Sequence, residues 1–248
     1  MHFRSISLLA ILPLFGLVTL QTATAQQFAV KEPLIYAQKE LWFDKIVSRE
    51  NTSLINGPEY FIPFQGATTH PFFGSRELTN EEVRYDAQLY ENVFLLYDIY
   101  SDVLVLRIRD HSGLFALVHV DKAKVESFTL YQHRFRKMMD PKSTSGETTY
   151  SFYNVLAEGK NIMLVARRTK TRQVLAQQTE YEIDDKYYFV RDGKWSLLSG
   201  TKSYYELMEA EESQITGFIK SQHIKVRKRD EKDLIAIAVF CNSLEVTK

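Results

Sequence analysis

The sequence predicts an α+β fold: a mainly antiparallel sheet of meander strands and hairpins, able to curve into a partial barrel, followed by two C-terminal helices. Three observations predict it. Between Tyr90 and Tyr131 four runs rich in β-branched and aromatic residues alternate with short polar turns, the composition of half-buried pleated strands. Asp192-Gly193 stands between the apolar runs 187–190 and 195–198, and Asp-Gly tolerates the positive φ of a tight hairpin. From Ser203 onward the apolar period lengthens from two to three or four, as a helical face requires.

Met1 to Ala25 has a basic start, an apolar core from Ile6 to Leu20 and the small residues Ala23-Thr24-Ala25. That order is the pattern of a secretory leader cleaved after Ala25. Pro13 interrupts an apolar run that is short for the ~20 residues of a spanning helix, and no later stretch is long enough to span. The expected organisation is therefore a leader, 1–25, and one exported domain, 26–248, in the periplasm or outside the cell. A sub-boundary near 140–149 is the alternative division.

The strands follow in order. Leu34–Tyr36 suits a strand, and Leu41 to Ile46 one or two helical turns. Asn56-Gly57-Pro58 forces a turn. Phe61–Phe64 is extended, and Pro63 keeps it out of a central strand. The Gly-, Pro- and Thr-rich loop 65–75 leads to an entering strand over 78–85. Runs 92–97, 103–108, 114–120 and 125–131 form the four-stranded meander, since short connections make successive strands antiparallel neighbours. The polar stretch 140–147 breaks the chain. Runs 150–156 and 162–167 flank Glu158-Gly159-Lys160 as a hairpin. Ser203 to Glu206 has capping-box spacing ahead of Leu207, Ile215, Phe218 and Ile219. Asp230 can cap a last helix with Leu234, Ile237, Ala238, Cys241 and Leu244 on one stripe.

The chain carries 31 basic and 31 acidic residues, so no global field favours nucleic acid or anionic membrane. Cys241 is the single cysteine, which excludes an intramolecular disulfide and leaves apolar burial to hold the fold.

Asn56 to Tyr60, His70 to Gly74, Tyr90 to Asp98 with Asp102 to Val105, Glu158 to Lys160 followed by Arg167-Arg168, and Tyr187 to Lys194 resemble, in this order, a family of uncharacterised exported proteins of Bacteroidota-type bacteria. The resemblance spans most of the chain after the leader. It implies an exported location and a strand-rich architecture, and it brings no catalytic residue and no cofactor.

Chemistry is sparse. Histidines 70, 111, 119, 133 and 223 make no His-x-His or His-Glu-x-x-His, and only His119 and His133 have strand positions from which they could meet. Cys241 sits on an apolar helix stripe without a basic neighbour to lower its pKa. Asp98 with Asp102, and Asp184 with Asp185, are paired carboxylates in turns, where aspartate serves turn geometry. No catalytic residue, metal or cofactor is therefore assigned. Phe61, Phe64, Phe72 and Phe73 in the loop segments, with Arg167 and Arg168 of a basic cluster, are the candidate partner or ligand surface. The second basic cluster, Lys220 to Arg229, lies close to Asp230, Glu231 and Asp233, which can neutralise it. The reading is a non-catalytic envelope or secreted protein that binds an envelope protein or supports an assembly. A carrier of an apolar or amphiphilic ligand in a sheet cavity is the alternative.

Overall fold

The computed structural model describes residues 53–55, 57–64, 66–109, 112–141, 148–175, 178–226 and 230–245. The leader, the readings at 34–36 and 41–46, and the break at 142–147 lie outside the described residues.

Ten strands make one antiparallel sheet: β1 (Thr79–Tyr85), β2 (Gln88–Asp98), β3 (Val103–Arg109), β4 (Phe115–His119), β5 (Val125–Leu130), β6 (His133–Met139), β7 (Tyr150–Glu158), β8 (Met163–Arg167), β11 (Lys186–Arg191) and β12 (Lys194–Leu197). Their order is β12-β11-β8-β7-β6-β5-β1-β2-β3-β4. A separate two-stranded hairpin, β9 (Lys170–Leu175) and β10 (Gln178–Ile183), is inserted between β8 and β11. Two helices follow, α1 (Glu212–Ser221) and α2 (Glu231–Ser243). The expected α+β fold is what the chain adopts. The polar stretch after β6 joins two paired neighbours, with Phe135 opposite Asn154.

One part of the strand reading needs correction. Runs 92–97, 103–108 and 114–120 do form the meander β2-β3-β4, but β5 pairs with β1 and β6, not with β4. The physical reason is curvature. Val120 to Val125 is a five-residue step that can reach at most about 18 Å, whereas β4 and β5 are four strand spacings apart in sheet order, about 19 Å if flat. The sheet rolls up so that a short connection suffices, and β1 slots in beside β2.

The inner face records the same roll. Tyr97 on β2 and Phe152 on β7 are also four spacings apart in sheet order, yet their ring centroids lie 5.7 Å apart. Phe128 and Phe135 stack between them at 4.8 Å, and Tyr97 meets each of these edge-on. The space enclosed by the curl is thus filled by four buried rings, whose tilted and offset contacts suit aromatic quadrupoles. The sheet stays open, with β4 and β12 at its ends.

At the β8–β11 end the inner face is closed by helices. Leu164 and Phe189 pack with Ile215, Leu234, Ile237, Ala238 and Cys241. Asp230 caps α2 by accepting from the Lys232 N–H at 3.0 Å, as its spacing predicts. The first helix starts nine residues later than Ser203, because residues 201–204 and 209–211 form single 3-10 turns. Asn242 ties α2 to the β7–β8 turn: its Oδ1 accepts from Asn161 N and Ile162 N, both at 2.9 Å. Gly159 is required there, since a Cβ would stand 2.3 Å from the Asn242 side chain.

Candidate recognition surface

The four phenylalanines singled out by sequence lie in segment 57–78, which is attached to the outer face of the sheet and carries the β9–β10 hairpin, whereas Arg167 ends β8 and Arg168 follows it. Segment 57–78 is stitched to the far side of β2–β4. Tyr60 N donates to Leu117 O at 2.7 Å, His119 N to Pro58 O at 2.9 Å, and Ile99 N to Pro71 O at 3.0 Å. Gly57 permits the approach, for a Cβ would lie 1.8 Å from the His119 carbonyl oxygen. Tyr60 and Phe72 bury themselves against Leu96 and Val105, the outward-facing residues of β2 and β3.

Asp98 anchors this layer. It is fully buried, accepts the Tyr60 hydroxyl at 2.8 Å and accepts the backbone N–H groups of Tyr100 and Ser101, each at 2.9 Å. The aspartate thus makes its turn, as the sequence suggests, and fixes a segment 38 residues away as well. Burial, with the Asp98 charge adding to it, pushes the Tyr60 hydroxyl far above the ordinary phenol range.

The hairpin is fastened to the same segment. Thr68 N donates to Thr179 O at 2.9 Å, Tyr181 N to Thr69 Oγ1 at 2.6 Å and the Tyr181 hydroxyl to Pro63 O at 3.1 Å. Lys170 Nζ donates to the carbonyls of His70 and Phe72 at 2.7 and 2.9 Å. Burial lowers its pKa, opposed by the charges of Asp185 and Asp98.

The structure divides the candidate set. Phe61 and Phe64 are 70% and 48% exposed, while Phe72 is 1% exposed. Phe73 turns away to pack edge-on against His133 and Phe135, each at 5.1 Å. Arg167 and Arg168 do not join that surface. Arg167 forks onto Asp102 at 3.0 and 3.1 Å and also donates to the Tyr97 hydroxyl. Arg168, 6% exposed, donates to Asn154 at 2.8 Å, Asp185 at 2.7 Å and Glu231 at 2.6 Å. Both guanidiniums are spent inside the fold, and Arg168 joins sheet, hairpin base and helix α2.

At the surface Phe61 and Phe64 are joined by Arg172, the last residue of the basic cluster that begins at Arg167, and by Val174 and Ile183, which were not singled out from sequence. The Arg172 guanidinium lies 3.9 Å over the Phe64 ring. By strand alternation, Val174 and Ile183 share the side of the hairpin that carries Arg172 and Tyr181, and they are 64% and 71% exposed. The result is an apolar patch with one cation stacked in it, on a base held by main-chain hydrogen bonds. Such a patch can accept an apolar or aromatic partner group and a nearby anion.

The other candidate chemistry is placed as follows. His119 and His133, on β4 and β6, are not strand neighbours; their rings pack on Tyr60 and Phe73 respectively, both at 5.1 Å. Among the described residues no group of three or more His, Cys, Asp or Glu side chains is arranged to hold a metal ion. The Cys241 thiol is buried, and burial pushes its pKa up to about 12. Among the described residues no helix is long and apolar enough to cross a membrane.

No protein-family model matches this chain, and neither the curated proteins nor the solved structures contain a significant match to it.

Proposed function

We propose that this chain is an exported, non-catalytic protein of the envelope or the extracellular space, which binds a partner through the surface built from Phe61, Phe64, Arg172, Val174 and Ile183. One observation carries the reading: large apolar side chains are held out in solvent beside backbone that is hydrogen-bonded to the sheet and to the hairpin. Phe61 at 70% and Ile183 at 71% exposure flank a segment that is hydrogen-bonded to β4, β2 and β10. An exposed, pre-organised apolar patch loses little conformational freedom on binding. Export is supported by the leader pattern and by the resemblance to exported proteins.

The carrier alternative finds less support, because the rings of Tyr97, Phe128, Phe135 and Phe152 occupy the space inside the curl. An amphiphilic ligand would have to use the same outer patch. A photo-crosslinking residue at position 61, in the intact chain expressed in cells, tests the proposal. A control carries it at Leu197, which is 43% exposed on β12 at the opposite end of the sheet. The expected result is a discrete protein adduct from position 61 that position 197 does not give. Identical adduct patterns from both positions would overturn it.

A further inference from the structure

A strand at a sheet edge presents unpaired N–H and C=O groups to any extended chain that passes, and folds cover or shorten such edges. This fold does so at β4, β10 and β12 but not at β9. The outer side of β4 is taken by segment 57–60, through Tyr60 N to Leu117 O and His119 N to Pro58 O. That of β10 is taken by residues 68–69, through Thr68 N to Thr179 O and Tyr181 N to Thr69 Oγ1. Strand β12 is only 4 residues long. Strand β9 has 6 residues, its register with β10 runs without a bulge, and among the described residues it pairs with β10 alone.

The alternation of the ladder identifies the groups at that edge. Facing residues of an antiparallel pair alternately exchange hydrogen bonds and point their main-chain groups away from each other. Thr179 O and Tyr181 N are turned from β9 toward residues 68–69. Their opposite numbers, Val174 and Arg172, therefore turn their own N–H and C=O groups away from β10. Thr171 to Val174 are all exposed, so neither face of the strand is covered there.

The same two residues carry the patch. Arg172 lies 3.9 Å over the Phe64 ring, and Val174 is 64% exposed. A chain laid along β9 thus meets main-chain donors and acceptors at the edge and, with every second side chain, the patch on one face.

Charge selects the occupant. Among the described residues Arg172 is in no ion pair. A second copy pairing β9 on β9 antiparallel matches outward-facing residues with one another. Setting Lys170 opposite Val174 brings Arg172 onto the other copy's Arg172, and setting Arg172 opposite Lys170 again joins two cations; like charges directly opposite destabilise a sheet. Setting Arg172 opposite Val174 leaves the guanidinium without a counter-charge. A foreign strand with a carboxylate opposite Arg172 and an apolar side chain opposite Val174 satisfies edge, cation and patch together.

We infer that the partner binds as an extended acidic segment added to the free edge of β9, hydrogen-bonded to the main chain of Arg172 and Val174 with a carboxylate against the Arg172 guanidinium. The inference rests on the recognition surface proposed above and names what that surface takes.

The test uses the intact chain in cells, with a photo-crosslinking residue at position 61 and, separately, at position 173. Gln173 lies on the face of β9 opposite to Arg172 and Val174, so a chain running beside the edge reaches both positions, whereas one resting on the patch reaches only the first. The expected result is the same partner from both, joined through a peptide of net negative charge, as mass spectrometry of the digested adduct reads it. Val174→Pro removes an outward N–H and sets a ring against the incoming strand while sparing the bonds to β10, and it lowers the yield at 61 by about tenfold or more. Val174→Ala keeps the N–H and loses more apolar surface, and it lowers the yield less. Thermal unfolding checks that both variants are folded, and the adduct at 173 decides the matter even where the proline variant does not fold. An adduct at 61 with none at 173, a crosslinked peptide that is basic or comes from a second copy of this chain, or a larger loss from Val174→Ala than from Val174→Pro would overturn the edge pairing and leave the patch reading standing. The absence of any adduct at 61 is the failure of the patch reading itself, and the edge pairing falls with it.

Discussion

The Tyr60 hydroxyl donates to Asp98 at 2.8 Å across 38 residues, and both partners are withdrawn from solvent. This bond clamps the outer segment onto β2. Tyr60→Phe leaves one carboxylate oxygen of Asp98 short of a donor inside the fold and should cost about 1–3 kcal/mol. Asp98→Ala also removes the acceptor for Tyr100 N and Ser101 N and should cost more. The double variant should cost less than the sum of the two, since both single changes break one shared bond. Urea unfolding of the four proteins measures the coupling.

Arg168 is a buried ion, with side-chain exposures of 7% for itself, 16% for Asp185 and 32% for Glu231. Burial lowers its pKa, and the hydrogen bonds and charges of Asp185 and Glu231 more than offset that, so it stays charged. Removing one member of such a set leaves the others uncompensated, and Arg168→Ala should lose about 3–5 kcal/mol. Arg168→Lys should recover only part of this, because an ammonium cannot fork between Asn154, Asp185 and Glu231. Thermal unfolding of the two variants ranks them.

Cys241 should be chemically silent in the folded chain. Its thiol is raised to about 12 by burial, above the free value near 8.5. A group whose folded pKa is raised holds its proton more tightly when folded, so stability is unaffected below about 8.5 and falls as pH rises from there toward 12. A thiol reagent at neutral pH should label the protein only in denaturant. Stoichiometric labelling of the native chain at the same pH would show the helix stripe to be open.

His70 gives the opposite slope. Burial lowers its pKa, aided by the charges of Lys170 and Arg76 and opposed by a backbone hydrogen bond at Phe72. A histidine held neutral contributes stability above its unfolded pKa of about 6.5 that is lost as pH falls below it. The urea midpoint of the wild type should therefore drop between about pH 7.5 and about pH 5.5, and His70→Gln should flatten that drop. Equal slopes for the two proteins would remove His70 from the account.

The elements legible in the sequence are those with local signatures. Asp192-Gly193 marked β11–β12 because both residues adopt positive φ, 49° and 74°. The β1–β2 and β5–β6 turns use the same left-handed backbone with Asp86-Ala87 and Tyr131-Gln132, residues that carry no comparable signal, so β6 went unread. The place of β5 beside β1 was also hidden, since it depends on the roll of the sheet and not on any turn residue. In the candidate surface, Phe61, Phe64, Phe72 and Phe73 look alike in sequence. What separates them is tertiary: Phe72 is drawn under by its bridge to Asp98, and Phe64 is kept outside beneath Arg172. Arg167 and Arg168 form an exposed-looking basic run, and only the convergence of Asp102, Asn154, Asp185 and Glu231, spread over about 130 residues of chain, turns them inward.

The most direct test of the recognition surface is native mass spectrometry of the chain isolated gently from the cells that produce it, alongside a Phe61→Ser, Phe64→Ser double variant. Both replaced rings are at the surface, so the variant should match the wild type in thermal unfolding. The wild type should retain a protein mass that the variant lacks. A wild-type chain and a folded variant that retain the same mass would contradict it.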